Sequence, residues 1–263
     1  MADQGKGKKL KPPKILKVKD LEDKTKYPPI HPHLPQPPFL LVGVGSVRSG
    51  KTNALIGMLR DNEQFYGNKY WDRVKVISNT INNDPKGKFL KDAFDVEDHY
   101  DDGMIHQLVD SQKKFKREEM PTALLVLDDI ISRDFKKTNE ISFLASRFRH
   151  YELSIMIFTQ SFRSISPIIR ANATNVMIFK QQSSKELEKI VEEYEDLAGE
   201  QFINYYNIVM TEPYQFLYID AQQNPAHFYR NFEELIGIGD QLVYKGSIPE
   251  VESEEEIFEE DNK

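Results

Sequence analysis

The chain has 263 residues, a net charge of −7 and no cysteine. That length suffices for one sizeable α/β domain or two small ones. The missing cysteines exclude disulfides and thiolate metal centres and point to a reducing compartment such as cytosol. No apolar run approaches the ~20 residues that cross a bilayer, and the lysine-rich start lacks the apolar core of a secretory signal, so no membrane association is expected.

Residues 1–38 read as an extended arm. It carries nine lysines from Lys6 to Lys26, then prolines at 28, 29, 32, 35, 37 and 38 that fix φ and remove backbone donors. A basic arm suits phosphate or simple solubility equally. His31 and His33 lie in the proline strap with no acidic or cysteine partner nearby, so they read as strap residues rather than metal ligands.

Order is expected from Phe39. The run Phe39-Leu40-Leu41-Val42-Gly43-Val44 has the continuous apolar character of a strand buried on both faces, and Leu55, Met58 and Leu59 give residues 51–62 helical spacing. Further strands are expected at 74–78, 124–127, 154–158 and 176–179. Helices are expected at 141–149 and 184–197, the latter with Leu187, Ile190, Val191 and Tyr194 as its apolar stripe. Residues 79–121 read as mixed helix and loop. The runs 208–210 and 215–219 flank Glu212-Pro213-Tyr214 and read as a hairpin. Tyr205, Tyr206 and Tyr218 read as core or rim. Alternating buried strands and helices predict an α/β fold with a mainly parallel sheet, helices on both faces and a C-terminal hairpin. The expected divisions are an arm at 1–38, a nucleotide-binding domain at 39–235 and an acidic tail at 236–263.

Gly45-Ser46-Val47-Arg48-Ser49-Gly50-Lys51-Thr52 matches G-x-x-x-x-G-K-[ST] in full, between a buried strand and a helix. In that setting backbone amides and the helix N-terminus point at an anion, the lysine reaches the outer phosphates and the threonine hydroxyl ligates Mg²⁺. Asp128 and Asp129 follow the apolar run ending at Leu127, where strand ends of α/β sheets meet ligands. Asp128 is expected to hold Mg²⁺, mostly through water, and Asp129 to orient the attacking water. Gln160 ends the 154–158 strand. If that strand lies beside the other two, its amide reaches the γ-phosphate or its water. These features describe a P-loop NTPase of the RecA-like (ASCE) kind that uses ATP and Mg²⁺, though no residue pattern fixes the base.

The order of phosphate loop, Leu124 to Asp129, Arg149-His150, Thr159-Gln160 and then Pro167, Arg170 and Asn172 resembles the genome-packaging ATPases of large DNA viruses and virophages, the poxvirus-type branch of the FtsK/HerA superfamily. The resemblance covers roughly residues 39–220. It implies an ATP-driven motor that threads double-stranded DNA into a capsid, working as a hexameric or pentameric ring docked on a capsid or portal-vertex protein. The implied place is host cytoplasm, in a viral factory, or the virion. It also implies ATP between subunits, a neighbour's arginine completing the site and Gln160 as sensor. Arg147 and Arg149 are the candidates for that arginine, and position before the glutamine strand favours Arg149. Many FtsK/HerA members carry glutamate where this chain has Asp129. Basic clusters at Lys113, Lys114, Lys116 and Arg117, and at Arg133, Lys136 and Lys137, are candidate DNA contacts, the second placed to couple hydrolysis to a pore loop. A helicase or DNA pump of the same superfamily, and a nucleotide switch that binds a protein partner, are the competing readings. The adjacent acids and available arginines favour a motor over a switch.

Overall fold

One ten-stranded sheet organises the chain, with strand order β10-β9-β8-β7-β6-β1-β5-β4-β2-β3. The strands are β1 Leu40–Val44, β2 Arg73–Ser78, β3 Asp95–Glu97, β4 Ala123–Asp128, β5 Leu153–Thr159, β6 Asn175–Phe179, β7 Phe216–Asp220, β8 His227–Arg230, β9 Glu234–Ile238 and β10 Gln241–Leu242. The helices are α1 Lys51–Leu59, α2 Gly87–Ala93, α3 Asp102–Gln112, α4 Glu140–Ala145, α5 Pro167–Asn172, α6 Ser184–Tyr194 and α7 Gln201–Val209. The computed structural model describes residues 27–60, 65–66, 70–82, 87–130 and 140–246.

The six strands from β6 to β3 run parallel, whereas β7 to β10 continue the sheet antiparallel from β6. Every residue of β1, β4, β5 and β6 is buried, which is why their sequences are continuously apolar rather than alternating. Helices α3 to α7 cover one face, where Leu125, Ile155 and Ile178 meet Phe162, Ile190 and Phe202. The other face carries α1 and the proline strap, with Leu41, Val126 and Phe158 packed among Leu55, Met58, Tyr66 and Trp71. Gly43 lies in β1 where a Cβ would run into the Phe158 ring, so β1 and that aromatic pack at backbone distance.

Three expectations change. Residues 208–210 are not a strand: Ile208 and Val209 close α7, whose Phe202, Tyr205, Tyr206, Ile208 and Val209 are buried at helical spacing. The hairpin lies further on, between β7 and β8. The fold also runs past residue 235, because β9 crosses that point and β10 follows it. Lastly, residues 27–38 pack on the domain rather than standing apart. Tyr66 Oη donates to Pro35 O at 2.8 Å, Tyr70 Oη to Pro28 O at 3.0 Å and Tyr27 Oη to Glu152 O at 3.1 Å.

Candidate functional site

The C-terminal ends of β1, β4 and β5 meet at one cleft. β5 lies between the other two, so the condition set for Gln160 is met. A cleft of about 490 Å³ is lined by residues 47–53 of the glycine-rich loop and α1 together with Thr80, Asp129, Gln160 and Tyr214.

The loop is tied down at its base. Gly45 N donates to Thr159 O at 3.2 Å, Ser46 N to Lys180 O at 3.2 Å, and Gln182 N returns to Ser46 Oγ at 2.8 Å. Gln181 Nε2 bonds Val44 O and Phe179 O across the ends of β1 and β6. Gly50, at φ 106°, takes the left-handed turn that starts α1, a conformation costly for a side-chain-bearing residue. No side chain caps that helix start, so the first amides of α1 have no side-chain acceptor at the N-cap.

Lys51 is 6% exposed, with Nζ donating to Gly45 O at 2.7 Å and to Ser46 O at 3.0 Å. Burial lowers its pKa, and the charges of Asp129 and Asp128 act in the opposite sense. An anion in the loop would therefore meet a desolvated cation beside uncapped amides, where Coulomb attraction is strongest.

Asp128 is 2% exposed and accepts from Ser78 Oγ at 3.2 Å. Asp129 lines the cleft at φ 49°. Its amide donates to Phe158 O at 3.0 Å, and Oδ2 accepts from Gln160 Nε2 at 3.3 Å. Asp129 Oδ1 and Ser49 Oγ are both buried without a hydrogen-bond partner among the described residues. Ser49 Oγ, the Asp128 carboxylate and the Thr52 hydroxyl are oxygen donors of the kind that suits a hard divalent cation such as Mg²⁺, and Asp129 Oδ1 remains for a water.

The remaining candidates lie elsewhere. Arg147 and Arg149 are exposed and precede β5, so the length of that strand, roughly 20 Å at ~3.3 Å per residue, separates them from the cleft of the same chain. Arg149 rests on the Phe148 ring at 5.5 Å. Arg170 pairs with Glu193 at 3.2 Å and lies over the Phe162 ring, a packing role between α5 and α6. The cluster at 113–117 is partly neutralised, Lys113 by Asp110 and Arg117 by Glu152. Arg133, Lys136 and Lys137, the lysines of residues 1–26 and the acids from 250 onward lie outside the described residues. Three cleft residues escaped sequence reading: Asn53 in α1, Thr80, just after β2, and Tyr214, 67% exposed and lying against Gly50.

A buried strand, its G-x-x-x-x-G-K-T loop, the helix it opens, and aspartates two strands away across an inserted glutamine strand define a P-loop NTPase. Within that class the resemblance to the poxvirus-type packaging ATPases holds, because the family model for the Poxvirus A32 protein matches residues 94–219. That match begins after the phosphate loop and so does not rest on the loop. The chain is 27% identical over 180 residues to uncharacterized protein 075L of Invertebrate iridescent virus 6, covering 65% of each chain. It is 25% identical over 92 residues to uncharacterized protein L437 of Acanthamoeba polyphaga mimivirus, covering 33% of this chain and 32% of that one. The chain thus spans less than two thirds of the curated relatives it matches. In fold it is similar to the genome packaging NTPase B204 of Sulfolobus turreted icosahedral virus 2, with TM-score 0.52 for the AMPPCP complex and 0.54 for the sulfate complex. Sequence identity is 20% in both; the AMPPCP alignment covers 73% of this chain and 97% of B204, the sulfate alignment 74% and 96%. Among the described residues no helix is long and apolar enough to cross a membrane.

Proposed function

We propose that this chain is the ATP-hydrolysing motor that moves double-stranded viral DNA into a capsid. The observation that carries the reading is the convergence of Lys51, Asp129 and Gln160 on one cleft at the ends of adjacent parallel strands. Its fold likeness to a viral genome packaging NTPase and the A32 family match support the same reading.

In this reading the amides of residues 45–52 hold the β- and γ-phosphates, and Lys51 neutralises charge that grows on the transferred group. Thr52 and Asp128 would hold Mg²⁺, Asp128 through water because it is fully buried behind the cleft. When bound, that ion supplies charge neutralisation between the outer phosphates. Asp129 accepts a proton from the attacking water, and Gln160 orients Asp129 and the water together. Asp129 is shorter than glutamate by one methylene, and its hydrogen bond from Gln160 fixes the orientation that a longer side chain would gain by reach.

Arg149 acts in trans, since its own cleft lies a strand's length away. The chain then works as a ring of identical subunits, hexameric or pentameric, on a capsid or portal-vertex protein, in host cytoplasm or the virion. Arg133, Lys136 and Lys137 follow the acidic strand and are the assigned DNA contacts, with the arm at 1–26 as a second phosphate-seeking element.

The test is translocation itself. A third DNA strand annealed on a long duplex should be displaced by the full chain with ATP, without preference for duplex sequence, and should stay bound with ADP. Retention of the third strand under conditions of active ATP hydrolysis would refute the motor.

A further inference from the structure

Two acid-rimmed cavities flank the point where the described chain begins. One, of about 410 Å³, is walled by Tyr66, Tyr70 and Trp71 and edged by Asp72, Asp92 and Asp95. The other is lined by Pro28, Glu118 and Glu119, and it shares Tyr70 and Asp72 with the first. We propose that the first cavity is the docking site of the chain's own lysine-rich segment, residues 6–19, which lies outside the described residues.

Position is the first argument. The Tyr27 ring meets Trp71 edge to face at 5.6 Å and stacks on Tyr70 at 6.2 Å, so the chain joins the domain beside two walls of the cavity. Only residues 20–26 separate the lysine-rich segment from Tyr27. Fully extended, that tether spans ~23 Å, enough to turn back into the cavity. A tether this short holds the segment at an effective concentration of roughly millimolar.

Charge is the second argument. Residues 6–19 carry seven lysines and no acid. Facing them are Asp72, Asp92 and Asp95 at the first cavity and Glu118 and Glu119 at the second. Lys75, paired with Asp95 at 2.9 Å, and Arg73, on the wall of the second cavity, offset part of that charge. The remainder favours a cationic occupant and repels nucleic acid or free nucleotide.

The third argument is the pattern within the segment. Lys14-Ile15-Leu16-Lys17-Val18-Lys19 interleaves apolar and basic side chains. The cavity does the same, with rings and the side chains of Leu59, Val74 and Phe94 inside and carboxylates at the edge. Ile15, Leu16 and Val18 therefore enter the cavity while the lysines meet the acids, and the ring faces attract ammonium groups as well. Docking neutralises within the chain lysines that the proposed function assigns to phosphate, so a polyanion has to displace them from the acids first. That consequence rests on the motor reading; the docking itself does not.

Trypsin reads the docking on the full chain, without nucleotide or DNA. The cuts after Lys14 and Lys17 are timed by mass spectrometry against the same cuts in a synthetic peptide of residues 1–26. We expect the full chain to be cut at least about tenfold more slowly, as a segment held at millimolar effective concentration would be. Two full-chain variants should bring the rate to within about twofold of the peptide's: Asp92→Lys, and Ile15→Ser with Leu16→Ser and Val18→Ser. Asp92 is exposed near the end of α2, where a cation suits the helix, and the three apolar positions lie outside the described domain, so neither variant disturbs the core. Trp71 is the chain's single tryptophan and residues 1–26 contain no aromatic residue, so the triple variant should also shift the emission to longer wavelength. Equal cutting of unaltered chain and peptide would overturn the proposal. Protection that survives both variants, or unchanged emission in the triple variant, would place the segment on another surface and overturn it as well. Protection that fades on dilution would assign the segment to a second copy of the chain and overturn docking within one chain.

Discussion

Gln160 Nε2 donates to Asp129 Oδ2 at 3.3 Å, joining the tips of two adjacent parallel strands across the mouth of the phosphate cleft. The bond fixes the carboxylate by one oxygen and leaves the other, Oδ1, buried without a hydrogen-bond partner among the described residues. One oxygen is thus held for orientation while its neighbour remains for a water.

Asp129→Asn should bind ATP normally and hydrolyse it slower by about 10²–10⁴, the usual worth of a positioned general base. Gln160→Ala should lose less. The double variant should be little worse than Asp129→Asn alone, with a coupling energy of at least ~0.5 kcal/mol for groups in direct contact. Additive losses in single-turnover hydrolysis would show that the two act separately.

Lys51 is expected to oppose folding slightly and to favour binding strongly. Burial lowers its pKa below the unfolded value of 10.5, so folding disfavours its charged form. That cost is fully present below the folded pKa and fades as pH rises through it toward 10.5. Differential scanning of the unaltered chain and Lys51→Met across the alkaline range should show the difference in melting temperature moving in favour of the unaltered chain as pH rises. ATP at about 100 times its dissociation constant should stabilise the unaltered chain by ~2.7 kcal/mol and the variant by almost nothing. An equal ligand-induced shift in both would remove Lys51 from the phosphate site.

The strands were the most legible part of the fold, for a simple reason. β1, β4, β5 and β6 are buried on both faces, so their sequences are unbroken apolar runs and their strand ends mark the site. β3, with sequence Asp-Val-Glu, sits at the sheet edge and has no such signal. Ile208-Val209-Met210 misled because β-branched residues suit strands, while burial against the sheet made them the end of a helix. Within the site, the glycine-rich loop, Asp128, Asp129 and Gln160 were readable because motif and strand end coincide. Tyr214 was not, because its contact with Gly50 depends on β7 joining the sheet beside β6, a long-range pairing that no local pattern encodes.

Arg149 should act on a neighbour's nucleotide. Arg149→Ala should bind ATP, assemble and lose about 10³–10⁵ in rate, the range for an arginine that completes a phosphoryl-transfer site. Mixed with Lys51→Ala, it should regain activity that neither variant has alone, since one subunit brings the intact loop and the other the intact arginine. Arg147→Ala is the control. No recovery after confirmed subunit exchange would argue against action in trans, and recovery with Arg147→Ala in its place would move the role two residues upstream.

DNA binding should weaken steeply with salt, each neutralised phosphate adding ~0.9 to the slope of log K against log salt. Replacing Arg133, Lys136 and Lys137 by alanine should lower that slope, and deleting residues 1–26 should lower it separately. A slope that neither change alters would assign these cations to something other than DNA.

The most direct measurement is steady-state ATP turnover by the full chain, with and without long linear duplex DNA, set against Lys51→Ala. The account predicts Mg²⁺-dependent hydrolysis that rises severalfold on duplex of any sequence and is lost in Lys51→Ala under both conditions. Turnover in Lys51→Ala equal to that of the unaltered chain would contradict the nucleotide site, and turnover indifferent to DNA at saturating duplex would contradict the motor.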